Sequence, residues 1–434
     1  MNFKTVAAVG TAFGILGVGS AFATFARIES MGKNTTYIMD DVSIFDNPAN
    51  INLYSNYLIG EFGPYTQDVA AGTNKDPQHP NFGGIFSFSL GDANNPDPRL
   101  SIGGLFGRVN TELAQYLPDY VIGEKGDKTA VPETVTNFDG FLGGTLSNGD
   151  AWGLHVYIAA QDGGDIGEDG NYQVKNNAFA SIVQADGGLN FQFTNYFDLE
   201  ASLALARIQY GPEHHSFFDD GDFSFLLKSR AFFTLDAING ELVPALNIKF
   251  IDAPGLDEKH AQVGVGINVA LDRGFFWMGA DFIWNKRKAH DWMFNTDSKT
   301  WTYDSRNDDH KHWDERTDVG GMISFGIERN IWWDWFVIRV GGQKSILYTK
   351  CNVNDANIDK YNDKQYGICK DDGNFFSTNP LADGTSKDHI GFGFGINIEE
   401  KLKIDVTVAE DLLFRNPFQG EGRLFSRISA TYSF

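Results

Sequence analysis

The run AQVGVGINVAL, residues 261–271, sets Ala261, Val263, Val265, Ile267, Val269 and Leu271 on one side of an extended chain, with Gln262, Gly264, Gly266, Asn268 and Ala270 on the other. A period of two marks a strand, because successive side chains of an extended backbone point to opposite faces. The same division separates Phe197, Leu199, Leu203 and Leu205 from Asp198, Glu200 and Ser202. It also separates Leu402, Ile404, Val406 and Val408 from Lys403, Asp405 and Thr407. Near the end, Leu424, Ile428, Tyr432 and Phe434 oppose Arg423, Arg427, Ser429 and Ser433. From about Asn52 onward no stretch holds a helical i, i+3, i+4 pattern for long, so the chain reads as all-β.

Alternation alone fits a soluble sandwich as well as a membrane barrel, and the links between runs decide. Tight links such as SNGD, TNYFD, DAING, LDRG, RNIWWD and EEK alternate with long ones, among them 109–136, 285–316 and 350–388, and with the medium DAPGLDE. A transmembrane antiparallel β-barrel has short periplasmic turns and longer external loops, whereas a sandwich has no reason to sort its loops by parity. The links count about sixteen strands; the region 175–195 reads as one kinked strand or an extra short one, and a count of fourteen stays open. An even number puts both chain ends on the periplasmic side.

Composition agrees with strands that half face lipid. The 434 residues are 42% hydrophobic and 14% aromatic, with 48 glycines; the mean hydropathy of -0.27 excludes a bundle of membrane helices. A net charge of -22 leaves no basic footprint for a phosphate backbone, so nucleic acid is not an expected partner. Trp332, Trp333 and Trp335 suit a periplasmic aromatic belt.

Residues 1–23 carry Lys4, a short apolar stretch and Ala21-Phe22-Ala23, the layout of a secretory signal peptide cleaved after Ala23. The rest divides into an N-terminal segment, 24–50, and a barrel, 51–434. The pattern Ile428, Ala430, Tyr432 and Phe434 resembles the C-terminal signal read by the bacterial outer-membrane assembly machinery. That predicts a bacterial outer-membrane location, with outer-membrane lipid, lipopolysaccharide and the assembly machinery as partners.

The segment ARIESMGKNTTYIMDDVSIFDNPANINLYSN contains Met31, Gly32, Asp40, Asp41, Asn47, Pro48 and Ala49. A glycine after a short apolar residue, an acidic pair and Asn-Pro-Ala resemble the start of the FadL long-chain fatty-acid transporter superfamily and its PorV-like relatives. The resemblance implies a periplasmic hatch at the mouth of a barrel of usually fourteen strands, and passive diffusion of small apolar or amphipathic solutes past it. Gly32, Asp40, Asp41, Asn47, Pro48 and Ala49 are the expected hatch residues.

The faces opposite the apolar ones supply the expected lumen. It offers Lys228, Arg230, Asn247, Lys249, Arg339, Arg423 and Arg427 against Glu200, Asp281 and Asp405. These charges pair with each other or with a plug, or a basic group grips an anionic head group, with Arg339 and Arg427 first. Cys351 and Cys369 predict a disulfide within one external loop. His214, His215, His290, His310, His312 and the acidic 162–170 run match no standard metal spacing. The glycines at 264, 266, 391, 393 and 395 fall at period two, as lumen-facing strand residues rather than a dinucleotide loop. No motif joins a nucleophile to a base, so neither an enzyme nor a cofactor is expected. Rivals to a transporter are a porin for hydrophilic solutes and a surface scaffold or adhesin built on loop aromatics Trp292, Trp301, Tyr303 and Trp313.

Overall fold

The alternating runs pair into one closed antiparallel barrel of sixteen strands. The computed structural model describes residues 24–54, 56–63, 80–91, 98–118, 120–123, 128–134, 136–162, 179–211, 223–290, 292–295, 300–303, 313–354, 389–399, 401–408 and 425–434. In chain order the strands begin with β1 (Tyr57–Phe62), β2 (Asn81–Ser89), β3 (Arg99–Phe106), β4 (Tyr120–Gly123), β5 (Lys128–Ala130), β6 (Thr136–Thr145) and β7 (Ala151–Asp162). There follow β8 (Phe179–Thr194), β9 (Phe197–Gly211), β10 (Ser224–Leu235), β11 (Gly240–Ala253), β12 (Leu256–Leu271), β13 (Gly274–His290), β14 (Trp292–Asn295) and β15 (Thr300–Tyr303). The last are β16 (Trp313–Asn330), β17 (Phe336–Asn354), β18 (His389–Ile398), β19 (Leu402–Val408) and β20 (Phe425–Ser433). Strands β4, β5, β14 and β15 leave the barrel and form a separate four-stranded sheet from two of the long links.

Closure comes from β1 against β20, in register from Tyr57 opposite Ser433 to Phe62 opposite Ile428. The Phe434 N–H then donates to the Asn56 carbonyl at 3.1 Å. Within the ambiguous 175–195 region, Phe179–Thr194 form one strand, β8, with an irregularity between Gln192 and Thr194. Sixteen strands therefore exceed the fourteen that the family resemblance implies.

Burial is inverted relative to a water-soluble fold. Val263, Phe282 and Leu205 are exposed at 56%, 57% and 52%, while Asn268, Asp281 and Glu200 on the opposite faces are buried. An apolar exterior of this extent is stable only in hydrocarbon, where a closed barrel satisfies every backbone group between strands. Trp332, Trp333 and Trp335 are exposed on a short turn, with the Trp333 and Trp335 rings stacked at 5.1 Å. That placement fits an interfacial belt.

Two links differ from the sequence expectation. The medium link at 252–258 is a two-residue turn, Pro254-Gly255, with Ala253 opposite Leu256. Gly255 holds φ +80°, and proline followed by a glycine at positive φ is the pairing a tight turn needs. The 285–316 link is shorter than expected because β13 runs to His290 and β16 starts at Trp313. Charge pairs hold the extended ends to their neighbours: Lys286 of β13 with Glu315 of β16 at 2.9 Å, and Arg287 of β13 with Glu258 of β12 at 2.5 Å. Polarity there reads as loop, yet cross-strand charge pairing continues the ladder.

Val263 faces outward near the middle of β12. Val263→Arg should cost roughly 2–4 kcal/mol, the usual penalty for a cation on the lipid face near the midplane. Denaturant unfolding of the barrel in lipid vesicles measures it; unchanged stability would mean that this face does not meet hydrocarbon.

Candidate functional site

The bore is occupied from both ends by the chain's own residues. From the short-turn end, Thr24–Tyr54 runs along the inner wall as a helix, α1 (Phe25–Ser30), and two 3-10 turns, Asp41–Phe45 and Pro48–Leu53. Each has a side-chain cap. The Thr24 hydroxyl accepts from the Arg27 N–H, the Asp40 carboxylate from the Val42 N–H, and the Asn47 side chain from the Ala49 N–H, with Pro48 in the first turn. Asp40, Asn47 and Pro48 are thus local starting signals for this segment's shape. Gly32 has φ +99°, and a Cβ there would lie 2.9 Å from the Gly342 backbone nitrogen. The segment passes the wall too closely for a side chain.

Buried charge pairs hold the segment. Arg27 donates to Asp40 at 2.8 Å and to Glu328 at 2.7 Å. Arg339 pairs with the same Glu328 and with Asp405 at 2.6 Å. Arg427 meets Glu29 of the segment at 2.9 Å and Glu61 at 3.3 Å. Arg230 binds Glu200 at 2.8 Å and donates to the carbonyls of Thr35, Thr36 and Ile38. The Tyr37 hydroxyl donates to Asp281, and its ring lies where a Cβ on Gly266 or Gly279 would fall. So Arg230, Lys249, Arg339 and Arg427 all face the lumen, where carboxylates of this chain already meet them; Lys249 lies 3.4 Å from Glu112.

A second insertion enters from the long-loop end, and the sequence reading, which treated 109–136 as an external loop, did not contain it. Arg108 pairs with Asp139, Asn110 donates to Gln184 at 2.8 Å, and the short helix α2 (Thr111–Ala114) follows. Leu113 and Tyr116 are fully buried against Ile182, Ile208 and Leu226 of the wall. The signal was in NTELAQYL, where a capping Asn precedes apolar residues at helical spacing. Also unforeseen is His155, whose ring nitrogens lie 2.8 Å from Asp186 and 2.9 Å from Asp139, with Phe141 stacked on it.

Lys228 joins the two insertions. Its Nζ lies 2.8 Å from Asp46 of the N-terminal segment and 2.8 Å from Glu112 of α2. Burial alone would raise the Glu112 carboxyl, but Lys228 and Lys249 hold it well below the usual range. Between the insertions, against β9, β10 and β11, lies a cavity of about 340 Å³. A smaller apolar void of about 20 Å³ sits behind Phe25, Phe45 and Phe141, and Asp41 lines it. Both Asp41 carboxylate oxygens are buried, beside the carboxylate of Asp40. Burial first, then the charges of Asp40 and Glu61, push its carboxyl well up, against the pull of Arg27.

Cys351 is disulfide-bonded, and no described cysteine is free. Cys369, Arg423, His214, His215, His310, His312 and the acidic run beyond Asp162 lie outside the described residues, as do the side chains of His290, Trp292, Trp301, Tyr303 and Trp313. Tyr432 and Phe434 point outward, 45% and 56% exposed. Among the described residues no three metal-ligating side chains converge.

An even-numbered closed barrel with an apolar exterior and a charged, filled interior suits one setting, the outer membrane of a bacterium. The chain is an outer-membrane β-barrel. No family model matches it, and no curated protein does. Among solved structures it is similar to a Pseudomonas aeruginosa FadL homologue, 13% identical over 96% of this chain and 99% of that one, with a TM-score of 0.34. The Pseudomonas putida toluene transporter TodX matches at 11% identity over 96% and 99%, TM-score 0.37. CdiB from Escherichia coli matches at 9% over 88% and 63%, TM-score 0.41.

Asp41 gives a pH dependence. A carboxyl raised by docking binds its proton more tightly when docked, so docking gains stability as pH falls through the docked value and loses it as pH rises through that value. Asp41→Asn should flatten this profile and tighten docking at neutral pH, because an amide has no charge to bury. Limited proteolysis of the N-terminal segment across a pH series measures both; a wild-type profile that does not change with pH would contradict the assignment.

Proposed function

We propose that this barrel is a passive outer-membrane channel for a small amphipathic molecule, with the N-terminal segment as its hatch and the inserted α2 loop as a second constriction. The layering of the bore carries this reading. Toward the long loops an apolar cluster around Leu113 and Tyr116 seats the α2 loop, beside the buried pair Arg287–Glu258; toward the short turns the wall is charged around Arg230, Arg339 and Arg427. A solute with one greasy and one polar part finds matching surroundings in sequence along that path. Entry displaces the α2 loop from its apolar seat, and exit requires the segment around Asn47-Pro48 to yield. Two insertions occupy a bore that a porin for hydrophilic solutes would need open, and the resemblance of the N-terminal segment to the FadL superfamily points the same way.

Single-channel recording in planar bilayers, paired with uptake of an amphipathic dye by cells carrying the barrel, tests this. The full chain should pass little steady current, and deleting residues 32–50 should raise both current and uptake several-fold. A large steady current through the full chain would instead favour a hydrophilic porin. Unaltered uptake after the deletion, with the barrel still folded, would remove the hatch.

A further inference from the structure

The cavity between the two insertions has a chemistry of its own. Its charged lining is balanced: Lys33, Lys228 and Arg230 face Asp46, Glu112 and Glu200. Most of these already pair with one another, Lys228 with Asp46 and Glu112, and Arg230 with Glu200. Two groups are under-used. Lys33 is half exposed and only 4.0 Å from Glu29, and the buried Asn247 Oδ1 accepts no hydrogen bond. Asn247 stands directly opposite Lys228 in the β10–β11 register, so a buried acceptor without a donor and a shared ammonium belong to cross-strand neighbours.

We propose that this cavity is a binding site for a small zwitterionic solute, whose anionic end takes a place on Lys228 and whose cationic end donates to Asn247 and to the carboxylate so displaced. The reason is charge conservation in a partly desolvated space. A lone anion that drew Lys228 away from Asp46 would leave that carboxylate without its counter-ion, and a lone cation on Asp46 would strand Lys228. Either leaves an uncompensated charge, which is costly away from water. A zwitterion exchanges partners with no net change, and its ammonium gives the Asn247 oxygen, now shut away from water, a donor once the amide turns toward it. An apolar solute gains little there, since Ala201 and Leu246 are the apolar residues of the lining. This deepens the channel reading and rests on it for its use: the polar part of the transported solute is assigned both signs of charge.

Titration calorimetry on the purified full-length barrel in detergent tests the site with three probes of one size: 4-aminobutanoate, butanoate and butylammonium. The zwitterion should bind about tenfold tighter than either singly charged analogue. Asn247→Leu, which removes this acceptor and leaves every ion pair in place, should erase most of that preference. Lys228→Met should abolish zwitterion binding. Equal or tighter binding of butanoate, no measurable binding of any probe, or an Asn247→Leu variant that keeps the full preference would overturn the proposal. Flux of the same probes through liposome-reconstituted barrel separates it from the channel reading. Zwitterion binding without flux keeps the site and removes the channel, whereas flux without charge preference keeps the channel and removes the site.

Discussion

The whole arrangement depends on the ladder that joins β1 to β20. Hydrocarbon offers nothing for a backbone N–H or C=O to bond, so a membrane sheet must close on itself. Closure between Tyr57–Phe62 and Ile428–Ser433 meets that demand and assigns every side chain to one of two faces. The outer face becomes apolar because lipid requires it. The inner face takes the remaining residues, including charges that the surrounding bilayer cannot hydrate.

Those inner charges explain why the bore is filled. A desolvated arginine or carboxylate is stable only beside a partner. Arg27, Asp40, Glu328, Arg339 and Asp405 form a continuous chain of such partners, in which the N-terminal segment supplies two and the wall three. The segment is therefore a counter-ion for the wall as well as an occupant of the bore. On the other side, α2 contributes Glu112 to Lys228 and Lys249 while burying Leu113 and Tyr116.

Strand periodicity and the parity of the links were legible in the sequence, because both follow from local backbone geometry and from the membrane's two unlike sides. The inward placement of Arg230, Lys249, Arg339 and Arg427 followed from their position opposite the apolar faces. What each of them touches did not. Arg27 meets Glu328 across 301 residues and Arg427 meets Glu29 across 398, and no local pattern announces a pairing at that range. Strand ends beyond the membrane rim were misjudged for a related reason: once lipid no longer enforces alternation, cross-strand ion pairs such as Lys286–Glu315 extend the sheet without a hydrophobic trace. The α2 insertion was hidden by brevity, since four helical residues inside a long link carry little periodic signal.

Lys228 gives the two insertions a common latch. One ammonium satisfies a carboxylate from each, so whichever swings away first leaves the other as its sole anchor and strengthens that remaining contact. Coupling of this kind works equally in both directions. In the channel proposed above, such a latch would work like an airlock, in which opening one door makes the other harder to move.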